Sequence, residues 1–116
     1  MNLHHKISYV EFAAHDLIAT KAFFESAFGW TFADYGPEYS SFSDQGIDGG
    51  FYVANLTSNS DHGGALVILF SDALEATLEK VAASGGKIVK PIFSFPGGRR
   101  FHFTEPSGNE LAVWGA

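Results

Sequence analysis

Residues 7–33, ISYVEFAAHDLIATKAFFESAFGWTFA, and residues 65–89, ALVILFSDALEATLEKVAASGGKIV, follow one plan written twice. Each stretch opens on a short apolar run, passes an Asp, continues as a helix-like segment, meets a Gly and returns to a strand-like run. Asp16 aligns with Asp72, Gly29 with Gly85 and Phe32 with Ile88, each pair 56 positions apart. Self-similarity at a fixed offset marks a duplicated supersecondary unit whose copies bury against each other what neither buries alone.

Working outward, residues 7–14 are predicted as the first strand. Asp16 is the predicted N-cap, because its carboxylate can accept from the orphan N–H groups of a first helical turn. The helix runs to Phe28, where Gly29 supplies a left-handed stop. Strands at 30–33, 39–43 and 50–54 follow, broken by Gly36-Pro37 and the turn-rich DQGIDG. The polar, aperiodic segment 55–64 reads as a linker. The second copy places a strand at 65–70, an N-cap at Asp72 and a helix whose Leu74, Leu78, Val81 and Ala82 form one apolar stripe. A strand at 87–90, an irregular segment at 91–98 with a Pro96-Gly97-Gly98 turn, and strands at 100–104 and 110–114 complete it. The expected architecture is α+β. It is a single domain of two tandem βαβββ modules, 7–54 and 65–114, with curled mixed sheets forming a concave cleft and helices outside.

The 116-residue chain has no cysteine, which excludes disulfides, thiolate nucleophiles and Cys-ligated zinc. Thirteen acids against seven Lys and Arg give a net charge of −6, which argues against nucleic acid and mildly favours cationic ligands. The start, MNLHHKISY, lacks an apolar leader core, and the longest apolar run, 65–70, is far too short to span a bilayer. A cytoplasmic protein with no membrane partner is expected. Twelve Phe, four Tyr and two Trp are a heavy aromatic load that must fill a core and can line a pocket. Phe51, Phe93, Phe95 and Phe101 are candidate pocket walls, with core packing equally open.

The opening ISYVEFAAHDLIATKAFFESAFGW and the ending FPGGRRFHFTEPSGNELAVW, with the repeat between them, resemble the glyoxalase/bleomycin-resistance/extradiol-dioxygenase superfamily, the vicinal oxygen chelate proteins. The similarity runs from about Ile7 to Trp114, and small glyoxalase-like proteins related to lactoylglutathione lyase are the nearest likeness. The resemblance implies paired βαβββ modules around a cavity and single-domain chains that associate as homodimers. So aromatic a small chain would otherwise expose apolar patches, which points the same way.

Metal-dependent members of that family place His, Gln or Glu on the cavity side of particular strands, where a divalent ion polarises substrate oxygens. Carried over one by one, those positions hold Tyr9, Ala65, Ala112 and either Phe51 or Val53. No metal cofactor is expected in the usual place. Strand alternation sets Tyr9, Glu11 and Ala13 on one face, Glu110, Ala112 and Trp114 on another, and Arg100, His102 and Thr104 on a third.

The resulting constellation is Glu11, His102 and Glu110, with Tyr9 and Trp114 beside it. Three readings stay open. A carboxylate serves as general base with His102 as its partner; the three residues bind a metal in a new place; or they pair with Arg99, Arg100 or Lys90 and hold strands in register. Glu11 is the leading candidate, because a charge inside an apolar strand is costly unless paired or used. Arg99 and Arg100 offer bidentate contacts to an anionic substrate, or pair with local acids. His4, His5, His15 and His62 read as terminal, capping or solvent-facing residues.

The functional expectation is a glyoxalase-like protein that binds a small organic molecule in an aromatic cleft formed by Tyr9, Phe51, Phe93, Phe95, Arg100 and Trp114. It acts as a metal-independent isomerase or lyase or, alternatively, sequesters a drug without catalysis, as bleomycin-resistance proteins do.

Overall fold

The computed structural model describes residues 2–116. Its first half contains β1 (Tyr9–Ala14), α1 (Leu17–Phe28), β2 (Phe32–Asp34), β3 (Tyr39–Phe42) and β4 (Asp48–Val53). The second half contains β5 (Val67–Phe70), α2 (Leu74–Ala83), β6 (Lys87–Phe95), β7 (Gly98–Thr104) and β8 (Glu110–Gly115). A short 3-10 turn, Ser60–His62, lies between β4 and β5. The strands form two four-stranded mixed sheets, ordered β1-β4-β3-β2 and β5-β8-β7-β6. In each sheet the first strand lies parallel to the last, and the remaining pairs are antiparallel. A parallel pair needs a long crossover, and each half places its helix in that connection. The chain thus adopts the expected two-unit α+β architecture.

Local signals explain most of the boundaries. The Asp16 side chain accepts from the Ala19 N–H at 3.1 Å, and Gly29 closes α1 with φ of 71°. The second helix starts differently from the expectation. Asp72 makes no capping bond; Ser71 Oγ instead accepts from the Ala73 N–H at 3.0 Å and shares a hydrogen bond with Thr77 Oγ1. That hydroxyl fixes the turn leading into α2, whose first-turn N–H groups have no side-chain cap. The segment 91–95, expected to be irregular, continues β6. Pro91 has no N–H to give the ladder, and register shifts fall on either side of Lys90, so pairing is interrupted without ending.

Helix α1 packs against both sheets. Phe23 meets Phe103 of β7 at 5.6 Å between ring centroids, and Phe24 meets Phe51 of β4 at 5.4 Å and Trp30 at 4.5 Å. Burying each such ring contributes about 2–3 kcal/mol. Phe51 and Phe101 are fully buried in this core, so neither lines a cleft. Alternation sends their side chains to the helix-covered face of each sheet.

The Glu105–Asn109 turn latches the halves together. Buried Glu105 accepts from Thr20 Oγ1 of α1 at 3.0 Å and from the Ser107 N–H. Asn109 donates from Nδ2 to the Ala13 carbonyl of β1 at 2.7 Å and accepts at Oδ1 from the Ser58 N–H at 2.9 Å. Burial pushes the Glu105 carboxyl above its ordinary pKa, and the hydrogen bonds from Ser107, Thr20 and Asn109 only partly offset this.

Candidate functional site

On the second sheet, Phe101, Phe103, Leu111 and Val113 turn to the helices, so their alternates form the open face. Strand register lays these alternates out in rows. Ile68, Ala112, His102 and Lys90 lie across β5, β8, β7 and β6; Phe70, Trp114, Arg100 and Phe93 lie across the same strands beside them. Aromatic rings dominate the second row: Phe70 meets Trp114 at 5.0 Å, and Phe93 lies 5.8 Å from the His102 ring. Ile68, Phe95, Gly97, Arg100 and Trp114 line an open hollow of about 260 Å³. That suits a small ligand.

His102 is 2 % exposed, and its Nδ1 lies 2.7 Å from Glu110 Oε2. Glu110 is also buried, and its other oxygen accepts from both the N–H and the hydroxyl of Ser60, at 2.8 and 2.7 Å. Burial alone would raise the Glu110 carboxyl. The bonds from the Ser60 N–H, His102 and the Ser60 hydroxyl outweigh it and pull the pKa down to about 2. A carboxylate ionised at neutral pH can only accept, so His102 must carry its proton on Nδ1. In the neutral ring Nε2 carries the lone pair, and that atom is buried without a hydrogen-bond partner.

Arg100 stands two residues from His102 on the same face of β7. Its guanidinium lies over the rings of both Phe93 and Phe95, 5.4 Å from each centroid, and its Nε is buried without a partner. Arg99 points elsewhere and is held by Glu75 and the Ala116 carbonyl.

Glu11 does not join His102 and Glu110. It lies on the open face of the first sheet, exposed, and accepts from Tyr39 Oη at 2.8 Å; Tyr39 in turn bonds Tyr9 Oη at 2.6 Å. Burial and these two neighbours push the Tyr39 phenol upward, so it stays protonated. The backbone beneath is Gly50, where an added Cβ would collide with Tyr39 Oη and come within 2.8 Å of Tyr9 Oη. The expected three-residue constellation therefore divides into a His102–Glu110 pair on one sheet and a Tyr9–Tyr39–Glu11 chain on the other. The sequence reading missed Tyr39 and Ser60. The Gly49-Gly50 doublet inside a strand was a signal of close approach over β4; nothing marked Ser60.

The residues that the resemblance sets at the metal positions have side chains that do not fit a metal. Ala65, Ala112, Phe51 and Val53 have no donor atom, Phe51 faces the core, and the Tyr9 hydroxyl is engaged by Tyr39. Among the described residues no three His, Asp or Glu side chains come together as a metal site. Among the described residues no helix is long and apolar enough to cross a membrane.

The family model for the Glyoxalase/Bleomycin resistance protein/Dioxygenase superfamily matches residues 6–113. No curated protein is similar in sequence. Solved structures share the fold. A glyoxalase-related enzyme from Fulvimarina pelagi aligns with TM-score 0.81 at 17 % identity, over 97 % of this chain and 88 % of its own. The fosfomycin resistance protein FosX from Listeria monocytogenes aligns with TM-score 0.80 at 14 % identity, over 98 % and 95 %. Lactoylglutathione lyase from Agrobacterium tumefaciens aligns with TM-score 0.72 at 18 % identity, over 97 % and 94 %.

Proposed function

The chain belongs to the glyoxalase/bleomycin resistance/dioxygenase superfamily, and from that premise we propose that it binds a small organic molecule on the open face of its second sheet and moves a proton on it. The chemistry is of the isomerase or lyase type and is carried by side chains. His102, rather than Glu11, is the base. The observation that supports this is the state of the His102 ring: Nδ1 is held by an ionised carboxylate while Nε2 is buried with no partner.

In the proposed step, a substrate C–H bond beside a carbonyl breaks and its proton passes to His102 Nε2. The electron pair stays on the substrate, delocalised into the carbonyl. The imidazolium that forms is stabilised by Glu110, which acts as a positioning residue. Return of the proton to a different carbon gives isomerisation; departure of a β-substituent gives a lyase. The positive charge of Arg100 beside the ring favours the developing anion.

Incubation in D2O with a panel of small ketones and keto acids, followed by NMR, tests this reading. Deuterium should enter the carbon next to the carbonyl, and His102→Asn should abolish entry. Glu110→Gln should slow it and shift its pH profile, while Glu11→Gln should leave it unchanged. Exchange that survives in His102→Asn would remove the proposal.

A second reading is favoured by one observation. The His102 ring lies almost wholly covered, which suits stoichiometric binding without turnover. Ligand uptake with no exchange in any variant would support it. Exposed Ile68 and Phe70 on the edge strand β5 support pairing with a second copy of the chain, which sedimentation can check. We also read the protein as cytoplasmic.

A further inference from the structure

Arg100 has no carboxylate at ion-pair distance among the described residues, although the chain carries thirteen Asp and Glu. The neighbouring Arg99 has found one, and so has Lys21, which meets Asp34 at 2.7 Å. Burying even part of an unpaired cation costs free energy unless something compensates it. Here the rings of Phe93 and Phe95 both lie against the guanidinium, 5.4 Å from its central carbon, which stabilises the charge. A guanidinium is planar and donates within its own plane. Its Nε–H is one prong of the fork that receives a carboxylate in bidentate fashion, and that prong is unused. The adjoining hollow is walled by Ile68, Phe95 and Trp114, which offer apolar contact and no competing acid.

We propose that the ligand of this hollow is a small carboxylic acid with an apolar or aromatic body, whose carboxylate is taken edge-on by Arg100 while its body lies against Ile68 and Trp114. This deepens the reading of the same site given above and rests on it for the location of the hollow. It names the charge of the ligand, which proton transfer by itself does not require. A cationic ligand, the class suggested by the net charge, is disfavoured at this hollow by Arg100 itself.

Titration of the full-length chain with benzoate, benzamide and benzylamine tests the proposal. Affinities come from calorimetry, and the contact is located by NMR shifts of the Arg100 Nε–H and the Trp114 indole N–H. Benzoate should bind about tenfold or more tighter than the isosteric amide, because the amide forfeits the charge-assisted fork. Arg100→Met should erase that preference while benzamide binding persists, which also shows that the variant is folded. Arg100→Lys should restore part of it. Equal affinity for benzoate and benzamide, tighter binding of benzylamine, or no benzoate-induced shift at millimolar concentration would each overturn the proposal.

Binding is read here without turnover, so the two readings fail separately. A chain that holds benzoate through Arg100 but exchanges no proton loses the base assignment and keeps this one. A chain that exchanges protons on neutral ketones and ignores benzoate does the reverse.

Discussion

Glu110 joins two parts of the molecule that are distant in sequence: one oxygen fixes His102 at 2.7 Å, and the other accepts two hydrogen bonds from Ser60 in the connection between the halves. The segment between the two sheets is therefore tied to the candidate base. Removal of the carboxylate by Glu110→Ala leaves a buried His102 N–H and the Ser60 N–H unpaired. Each such loss costs about 1–3 kcal/mol, which chemical denaturation should detect.

The same carboxylate sets a pH dependence. Its folded pKa, about 2, lies below the ordinary carboxylate value of 4.5. A depressed pKa contributes stability that is present above the unfolded value and lost as pH falls from about 4.5 toward 2. Glu105 works in the opposite direction. Its pKa is raised in the fold, so the folded state gives up its proton less readily, and stability falls as pH rises past 4.5 through the folded pKa. Melting temperatures taken from pH 2 to pH 7 should separate them. Glu110→Gln should lose least, relative to the parent chain, at the acid end. Glu105→Gln should compare most favourably with the parent at neutral pH. A constant difference across that range in either variant would contradict the assignment.

Phe93 covers the ring that the proposed chemistry needs, 5.8 Å away, and it follows a register break in β6. Phe93→Ala is expected to open His102 to solvent. Diethyl pyrocarbonate should then modify His102 several-fold faster than in the parent chain, as read by peptide mass mapping. The exposed His4 and His5 serve as internal references whose rates should not move.

Gly50 tests whether Glu11 belongs to the site. A methyl group there would strike the Tyr39 and Tyr9 hydroxyls and force Tyr39 off Glu11. Gly50→Ala should cost about 1–3 kcal/mol, the usual range for overpacking. Proton exchange at His102 and benzoate binding at Arg100 should be retained, because both lie on the other sheet. A parallel loss of activity would return Glu11 to the catalytic group.

Much of this architecture was legible because backbone rules wrote it into the residues. Asp16 and Gly29 bound α1 as their chemistry requires, and the fixed offset between Asp16 and Asp72 announced a second unit. The offset did not transfer every role: Asp16 caps α1 with its side chain, while α2 has Ala73 at its N-cap position and no side-chain cap. Strand alternation correctly placed His102 and Arg100 on one face of β7. It could not relate that face to Glu11, since alternation gives the two faces of one strand and carries no information about separate sheets. Phe51 shows the same limit. Its residue type suits a wall or a core, and only its position opposite Phe12 and Phe24 decided for the core. Ser60 was invisible because a polar connection has no period from which a contact can be read.

Asn109 carries the final expectation. It is fully buried, and its two functional atoms have fixed opposite roles: Nδ2 donates to the Ala13 carbonyl at 2.7 Å, and Oδ1 accepts from the Ser58 N–H at 2.9 Å. Only an amide supplies a donor and an acceptor in that geometry. Asn109→Ala strands both backbone partners and should cost about 1–3 kcal/mol for each. Asn109→Asp keeps the size and the acceptor, yet above its pKa it sets a buried negative charge against the Ala13 carbonyl and near Glu105. It should therefore destabilise more than alanine does at neutral pH, despite being the closer isostere. The order should narrow or reverse as acidification protonates the new carboxyl and restores a donor. Urea unfolding of the two variants at pH 7 and pH 4 reads this directly. An aspartate variant more stable than the alanine variant at pH 7 would show that the latch between β1 and the Glu105–Asn109 turn is not what holds the halves in place.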